Sequence, residues 1–189
     1  MRDVIEIETR RLKLRPIAMS DAPRIARFCG DPGVGRNLAM TPLPYLENAA
    51  EGWIMIVRAR ENAAVRRNFV FAVDLDGEGL IGVLGAHGKS DDAYEFGYWF
   101  GRPYWGQGFA TEAVGAFVAQ ARQLGALNAG HFVDNPASGR VLSKTGFAYT
   151  GETENMFSLA RGERVLCKRM SFAGAADRGA GVRESALTH

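Results

Sequence analysis

The sequence predicts a single α+β domain built on a mixed β-sheet, and three observations carry that prediction. Apolar residues recur with period two in some segments and with the helical i, i+3, i+4 spacing in others, and the two kinds alternate along the chain. The 189 residues are 47% hydrophobic, ample for one core. A glycine-bearing turn, Trp105-Gly-Gln-Gly108, joins a strand-like run to the clearest helical run in the chain.

Residues 5–15 read as the first strand, with Leu12 and Leu14 on one face and Lys13 and Arg15 on the other. Ser20 is placed as a helix N-cap with Asp21 in the first turn, ahead of an apolar stripe of Ala22, Ile25, Ala26 and Cys29. Residues 30–44, rich in glycine and proline, read as a loop. Residues 46–62 follow as a helix with Ala50, Trp53, Ile54 and Val57 on one side. Residues 69–75 and 80–86 are strands joined through Asp76-Gly-Glu-Gly79, a hairpin signal, and 94–100 is the next strand. Residues 109–123 form a helix in which Ala110, Ala113, Val114, Phe117, Val118, Ala121 and Leu124 share one face, with Gly125 as its stop. A short strand at 129–133 precedes a helix capped by Asn135, opened by Pro136 and stopped at Gly146. Strands at 148–157 and 164–172 complete the order β-α-α-β-β-β-α-β-α-β-β, about seven strands and about four helices. The domain is expected over residues 1–172. The stretch 173–189, small and charged without periodicity, is expected to be a disordered tail.

The net charge of +2 leaves no electrostatic footprint for nucleic acid, and the four lysines against nineteen arginines form no basic block. Cys29 and Cys167 lie far apart and outside any CxxC or Cys/His cluster, so they read as buried thiols of a reducing compartment. Neither a metal-ligand spacing nor a Ser/His/Asp order stands out, and no metal is expected. No run approaches the length of a membrane span and the N-terminus lacks a signal-peptide core; a cytoplasmic protein, away from membranes, is expected.

The turn Arg102–Ala113 carries the chemistry. The first N–H groups of a helix have no internal partner and lie at the positive end of its dipole, so a strand–turn–helix of this kind is an anion site, usually for phosphate. Gly106 and Gly108 lack a Cβ and let a ligand approach the backbone. No Gly-Lys-Ser/Thr follows, which excludes a P-loop, and a G-x-G-x-x-G fingerprint fails at Thr111. Trp105, Gly106, Gln107, Gly108, Phe109 and Ala110 instead resemble the acetyl-CoA loop of the GNAT N-acetyltransferases, Arg/Gln-x-x-Gly-x-Gly/Ala. Trp105 departs from the usual first residue. The longer run Tyr104-Trp-Gly-Gln-Gly-Phe-Ala-Thr-Glu-Ala113 is similar to the ribosomal-protein N-terminal (alanine/serine) acetyltransferase branch. The predicted element order over about residues 7–172 is also that of the GNAT fold.

Residues Asn135, Ser138, Val141, Lys144, Gly146 and Phe147 match a second GNAT pattern, Asn-x-x-Ser-x-x-(Val/Leu)-x-x-Lys-x-Gly-Phe. The resemblance implies that Asn135 and Ser138 contact the pantetheine arm or the phosphates of CoA. The same side chains equally serve a plain helix cap, and local chemistry does not separate the two. Gly139 departs from good helix chemistry, at about 1 kcal/mol relative to alanine. It either widens the space beside the CoA arm or has no role there.

The resemblance implies attack of a primary amine on the thioester of acetyl-CoA, the co-substrate, within a ternary complex. In this family a bulged central strand exposes a backbone donor to the thioester carbonyl. Here Gly97 is a bulge signal, and Tyr98, Trp99 and Phe100, with Thr111 in the loop, complete the expected coenzyme-binding set. Glu95 is the candidate base, against the alternative of a surface carboxylate. Asp91 and Asp92 read as a solvated turn, and His87 and His131 as structural. The family's tyrosine acid is replaced by Leu142, which leaves Ser138, a water or no protein acid to serve the thiolate. The acceptor is either a protein N-terminal α-amine or a small amine such as an antibiotic, a polyamine or an amino acid, and the chain either a monomer or a homodimer. A non-catalytic acyl-CoA-binding module on the same fold is the competing class.

Overall fold

The computed structural model describes residues 6–61, 67–90, 93–122 and 124–173. The expected tail after Ala173, the Asp91-Asp92 turn and the ends of the helices predicted to reach residues 62 and 123 lie outside the described residues. The strands are β1 (Ile7–Glu8), β2 (Leu12–Pro16), β3 (Asn68–Leu75), β4 (Gly79–Ser90), β5 (Ala93–Phe100), β6 (Ala126–Phe132), β7 (Ala148–Ser158) and β8 (Glu163–Phe172). The helices are α1 (Ala22–Cys29), the single turn α2 (Pro32–Gly35), α3 (Glu47–Glu61), α4 (Phe109–Ala121) and α5 (Pro136–Lys144). All strands join one eight-stranded sheet in the order β1-β2-β3-β4-β5-β6-β8-β7. Every neighbouring pair is antiparallel except β5 and β6, which are parallel and therefore need the crossover that α4 supplies.

The alternation of each strand divides two cores. Phe71, Leu84, Phe96, Phe100 and Leu127 pack beneath α4 and α5 with Phe117 and Leu142. Val70, Ala72, Leu80 and Val83 pack on the other face with Ile25, Phe28 and Ile54 of α1 and α3. No helix among the described residues is long and apolar enough to cross a membrane.

The fold corrects four local expectations. The first strand is two strands, because Thr9 folds the chain back: its hydroxyl accepts from Leu12 N–H at 2.9 Å and its own N–H donates to the Leu12 carbonyl. Loop 30–44 contains the helical turn α2, capped by Asp31, whose carboxylate accepts from Gly33 N–H. Ser20 is no cap: residues Met19–Asp21 form a 3-10 turn, α1 starts at Ala22, and the Asp21 carboxylate takes Ala18 N–H and the Arg15 guanidinium. Gly97 marks no bulge, since β5 runs in unbroken register with β4 from Tyr94 to Phe100.

Candidate active site

The site begins where β5 and β6 part. They pair only at Ala93↔Ala126, Tyr94↔Leu127 and Glu95↔Asn128, although β5 continues to Phe100 and β6 to Phe132. The separation expected from a bulge therefore arises on the β6 side, with β4 pairing intact. Gly101 N–H donates to Ile81 of β4. Main-chain groups alternate edge by edge along a strand, so those of Tyr98 and Phe100 point to the open side. The Phe100 carbonyl there accepts from the Trp105 indole N–H at 2.7 Å.

The loop beyond Phe100 has the geometry its glycines suggested. Gly106 and Gly108 both take left-handed φ, +75° and +80°. Gly108 is the N-cap of α4, no side chain caps that helix, and the first intrahelical bond is Glu112 N–H to the Gly108 carbonyl. The amides of Phe109, Ala110 and Thr111 precede that bond and stand at the positive end of the dipole. The Gln107 side chain turns back to the Pro103 carbonyl at 2.8 Å. The Phe100 and Phe109 rings are buried in the core, so only their main chains can meet a ligand. The Trp99 ring faces the other side of the sheet, against Phe28 of α1.

Opposite the loop, Asn135 caps α5 through Ser138 N–H, with Pro136 at the first helical position. The Tyr98 hydroxyl, from β5, meets Ser138 Oγ at 2.9 Å and the Ser138 carbonyl at 3.2 Å, spanning the gap between the parted strands. Burial pushes the Tyr98 hydroxyl up to about 12, so it stays protonated. Leu142 is in the core. Gly139 is explained by contact rather than by space for a ligand: a Cβ there would lie 2.5 Å from His131 Nε2 and from the Tyr149 hydroxyl, which are hydrogen-bonded to each other beneath α5.

Glu95 lies on the α3 side of the sheet, where the strands begin to part. Both its oxygens are held by Arg169 of β8, at 2.9 and 2.7 Å. Its cross-strand neighbour on the same face is His87, whose Nδ1 is 2.8 Å from Asn68 Oδ1 and whose pKa is lowered, chiefly by burial. Arg169 lies more than seventy residues from Glu95 in sequence, and no local pattern announced it. Arg11 likewise has its partners far off in sequence. From the β1–β2 turn it donates to the Gln107 carbonyl in the loop and to Glu112 in α4. The Thr9-x-Arg11 turn offered no signal until its partner was known.

Residues 11–148 match the family model described as acetyltransferase (GNAT) domain. The chain is 30% identical to YoaA, an uncharacterized N-acetyltransferase of Bacillus subtilis (strain 168), over 77% of this chain and 84% of that one. It is 31% identical to the uncharacterized N-acetyltransferase p20 of Bacillus licheniformis, over 56% of this chain and 60% of the relative's length. Among solved structures it resembles the ribosomal-protein-S5-alanine acetyltransferase of Vibrio fischeri (TM-score 0.77, 17% identity, 92% of this chain and 98% of that one). It also resembles the spermidine N-acetyltransferase of Vibrio cholerae in complex with CoA and spermine (TM-score 0.73, 18% identity, 88% and 98%). The chain belongs to the GNAT acetyltransferase family and is an acetyl-CoA-dependent acetyltransferase.

Proposed function

We propose that this acetyltransferase moves the acetyl group of acetyl-CoA to a primary amine, with a protein N-terminal α-amine as the acceptor, by direct attack in a ternary complex. The observation that carries the reading is the parting of β5 and β6 beside the uncapped start of α4. The coenzyme's phosphates sit on the amides of residues 108–111 and its arm runs into the gap toward Asn135 and Ser138. The Phe100 or Tyr98 N–H meets the thioester oxygen as it gains charge. The amine nitrogen bonds to the carbonyl carbon and the C–S bond breaks. The amine's proton passes to Glu95, directly or through water, once one Arg169 contact opens. The thiolate takes a proton from water, relayed through the Ser138 hydroxyl that Tyr98 holds in place by their hydrogen bond.

An α-amine suits this site better than a lysine. Its pKa is about 7.7–8.0 against about 10.4, so freeing lysine of its proton costs roughly 3 kcal/mol more. A polyamine acceptor is the second reading, favoured by the likeness to the spermidine enzyme. Buried free Cys29 and Cys167 fit a cytoplasmic setting. CoA release measured with acetyl-CoA against peptides of varied N-terminus, spermidine and single amino acids tests these readings. Turnover with peptides blocked at the N-terminus but carrying free lysine would overturn the α-amine assignment. No turnover with any of these amines despite CoA binding would place the acceptor outside these classes.

A further inference from the structure

Arg11 stands at a junction that neither its strand nor the loop explains alone. Its Nε donates to Glu112 Oε2 at 2.7 Å and its main-chain N–H to Glu112 Oε1 at 2.9 Å, while the Thr9 hydroxyl donates to the same Oε1 at 2.7 Å. Its Nη1 donates to the Gln107 carbonyl at 3.1 Å, and the guanidinium lies over the Phe109 ring, 4.4 Å from its centroid. The remaining nitrogen, Nη2, faces Gly108, where a Cβ would come within 3.5 Å of it. One side chain thus touches three of the residues that form the loop and the first turn of α4.

We propose that Arg11 is a positioning residue of the coenzyme's phosphate site, which makes the β1–β2 turn part of that site. This rests on the coenzyme reading above. Two physical effects support it. A loop that turns its amides toward an anion must turn its carbonyls away, and the Gln107 carbonyl is held by Arg11 on the side of the β1–β2 turn. Glu112 also places a carboxylate in the first turn of the helix, where it would repel a phosphate. Arg11 neutralises it, and Glu112 is held below the usual carboxylate range by the Thr9 and Arg11 hydrogen bonds despite the opposing effect of burial. Removing Arg11 therefore frees the carbonyl and uncovers a negative charge together.

The test is calorimetric binding of CoA and of pantetheine, which lacks the phosphates, to wild type, Arg11→Met, Arg11→Lys and Arg11→Met/Glu112→Gln, with circular dichroism as a check on folding. Arg11→Met is expected to weaken CoA at least tenfold while pantetheine affinity stays within twofold, and the double variant is expected to recover part of the loss. Arg11→Lys, which keeps the charge but not the fork, should fall between. A folded Arg11→Met with wild-type CoA affinity, or with equal losses for CoA and pantetheine, overturns the proposal. If Arg11→Met does not fold, a folded Arg11→Lys with full CoA affinity overturns it instead. Failure of wild type itself to bind CoA would remove the coenzyme reading, an outcome separable from any effect of Arg11.

Discussion

Glu95 ends in two hydrogen bonds to one guanidinium, and that pairing sets what its replacement should do. Glu95→Gln keeps size and hydrogen bonding but removes the proton acceptor. Turnover should drop by about 10²–10⁴-fold, as for a positioned base, while acetyl-CoA affinity stays near wild type. The loss should shrink between pH 6 and 9 as more amine arrives uncharged. A rate that stays level with wild type across that range would leave Glu95 as the structural partner of Arg169. His87, beside it, gives a stability signature. Its folded pKa is lowered by burial, so the unfolded chain takes up the proton first. Its stabilising contribution is fully present above about pH 6.5 and falls as pH drops below that value. Urea melts of wild type and His87→Gln from pH 7.5 to 5 should show a shallower decline in the variant. Parallel declines would mean that other groups carry the pH dependence.

Elements were legible in the sequence where period and punctuation agreed. The helix α4 was placed from its apolar spacing, and α5 from Asn135, Pro136 and Gly146. The hairpin joining β3 and β4 was placed from Asp76-Gly-Glu-Gly79. Elements shaped by a distant partner were not legible. The β1–β2 break depends on Thr9 and on Glu112, about a hundred residues away. The reason for Gly139 lies in His131 and Tyr149 on two other strands. The Glu95 pairing depends on β8 arriving next to β6. Within the loop, Gly108 is the position where conformation and ligand access coincide. Gly108→Val would put a β-branched residue at φ +80°, at a cost of about 1–2 kcal/mol, and press its side chain against Arg11, which holds the loop. CoA affinity should fall more than tenfold in a protein that still folds. Wild-type affinity in a folded Gly108→Val would move the phosphate site elsewhere.

The whole molecule is two antiparallel leaves. One is β1 to β5 and the other β6, β8 and β7, and they meet at three residue pairs at one end of β5 and β6. So short a seam predicts a hinge about Glu95 and Asn128, working against the core that α4 and α5 form across both leaves. The Tyr98–Ser138 hydrogen bond is a clasp across the open side. Hydrogen exchange at the seam amides of Tyr94 and Asn128 should therefore run faster than in the middle of β3 and β4, and CoA should slow it although these amides need not touch the coenzyme. Equal protection with and without bound CoA would mean a rigid sheet. If the leaves do rock, a molecule lodged between them works as a wedge that sets their angle. Glu95 stands on that pivot, on one leaf, and is gripped by Arg169 from the other. The angle between the leaves then governs how firmly Arg169 holds Glu95, so that filling the groove on one side of the sheet can loosen a proton acceptor on the other.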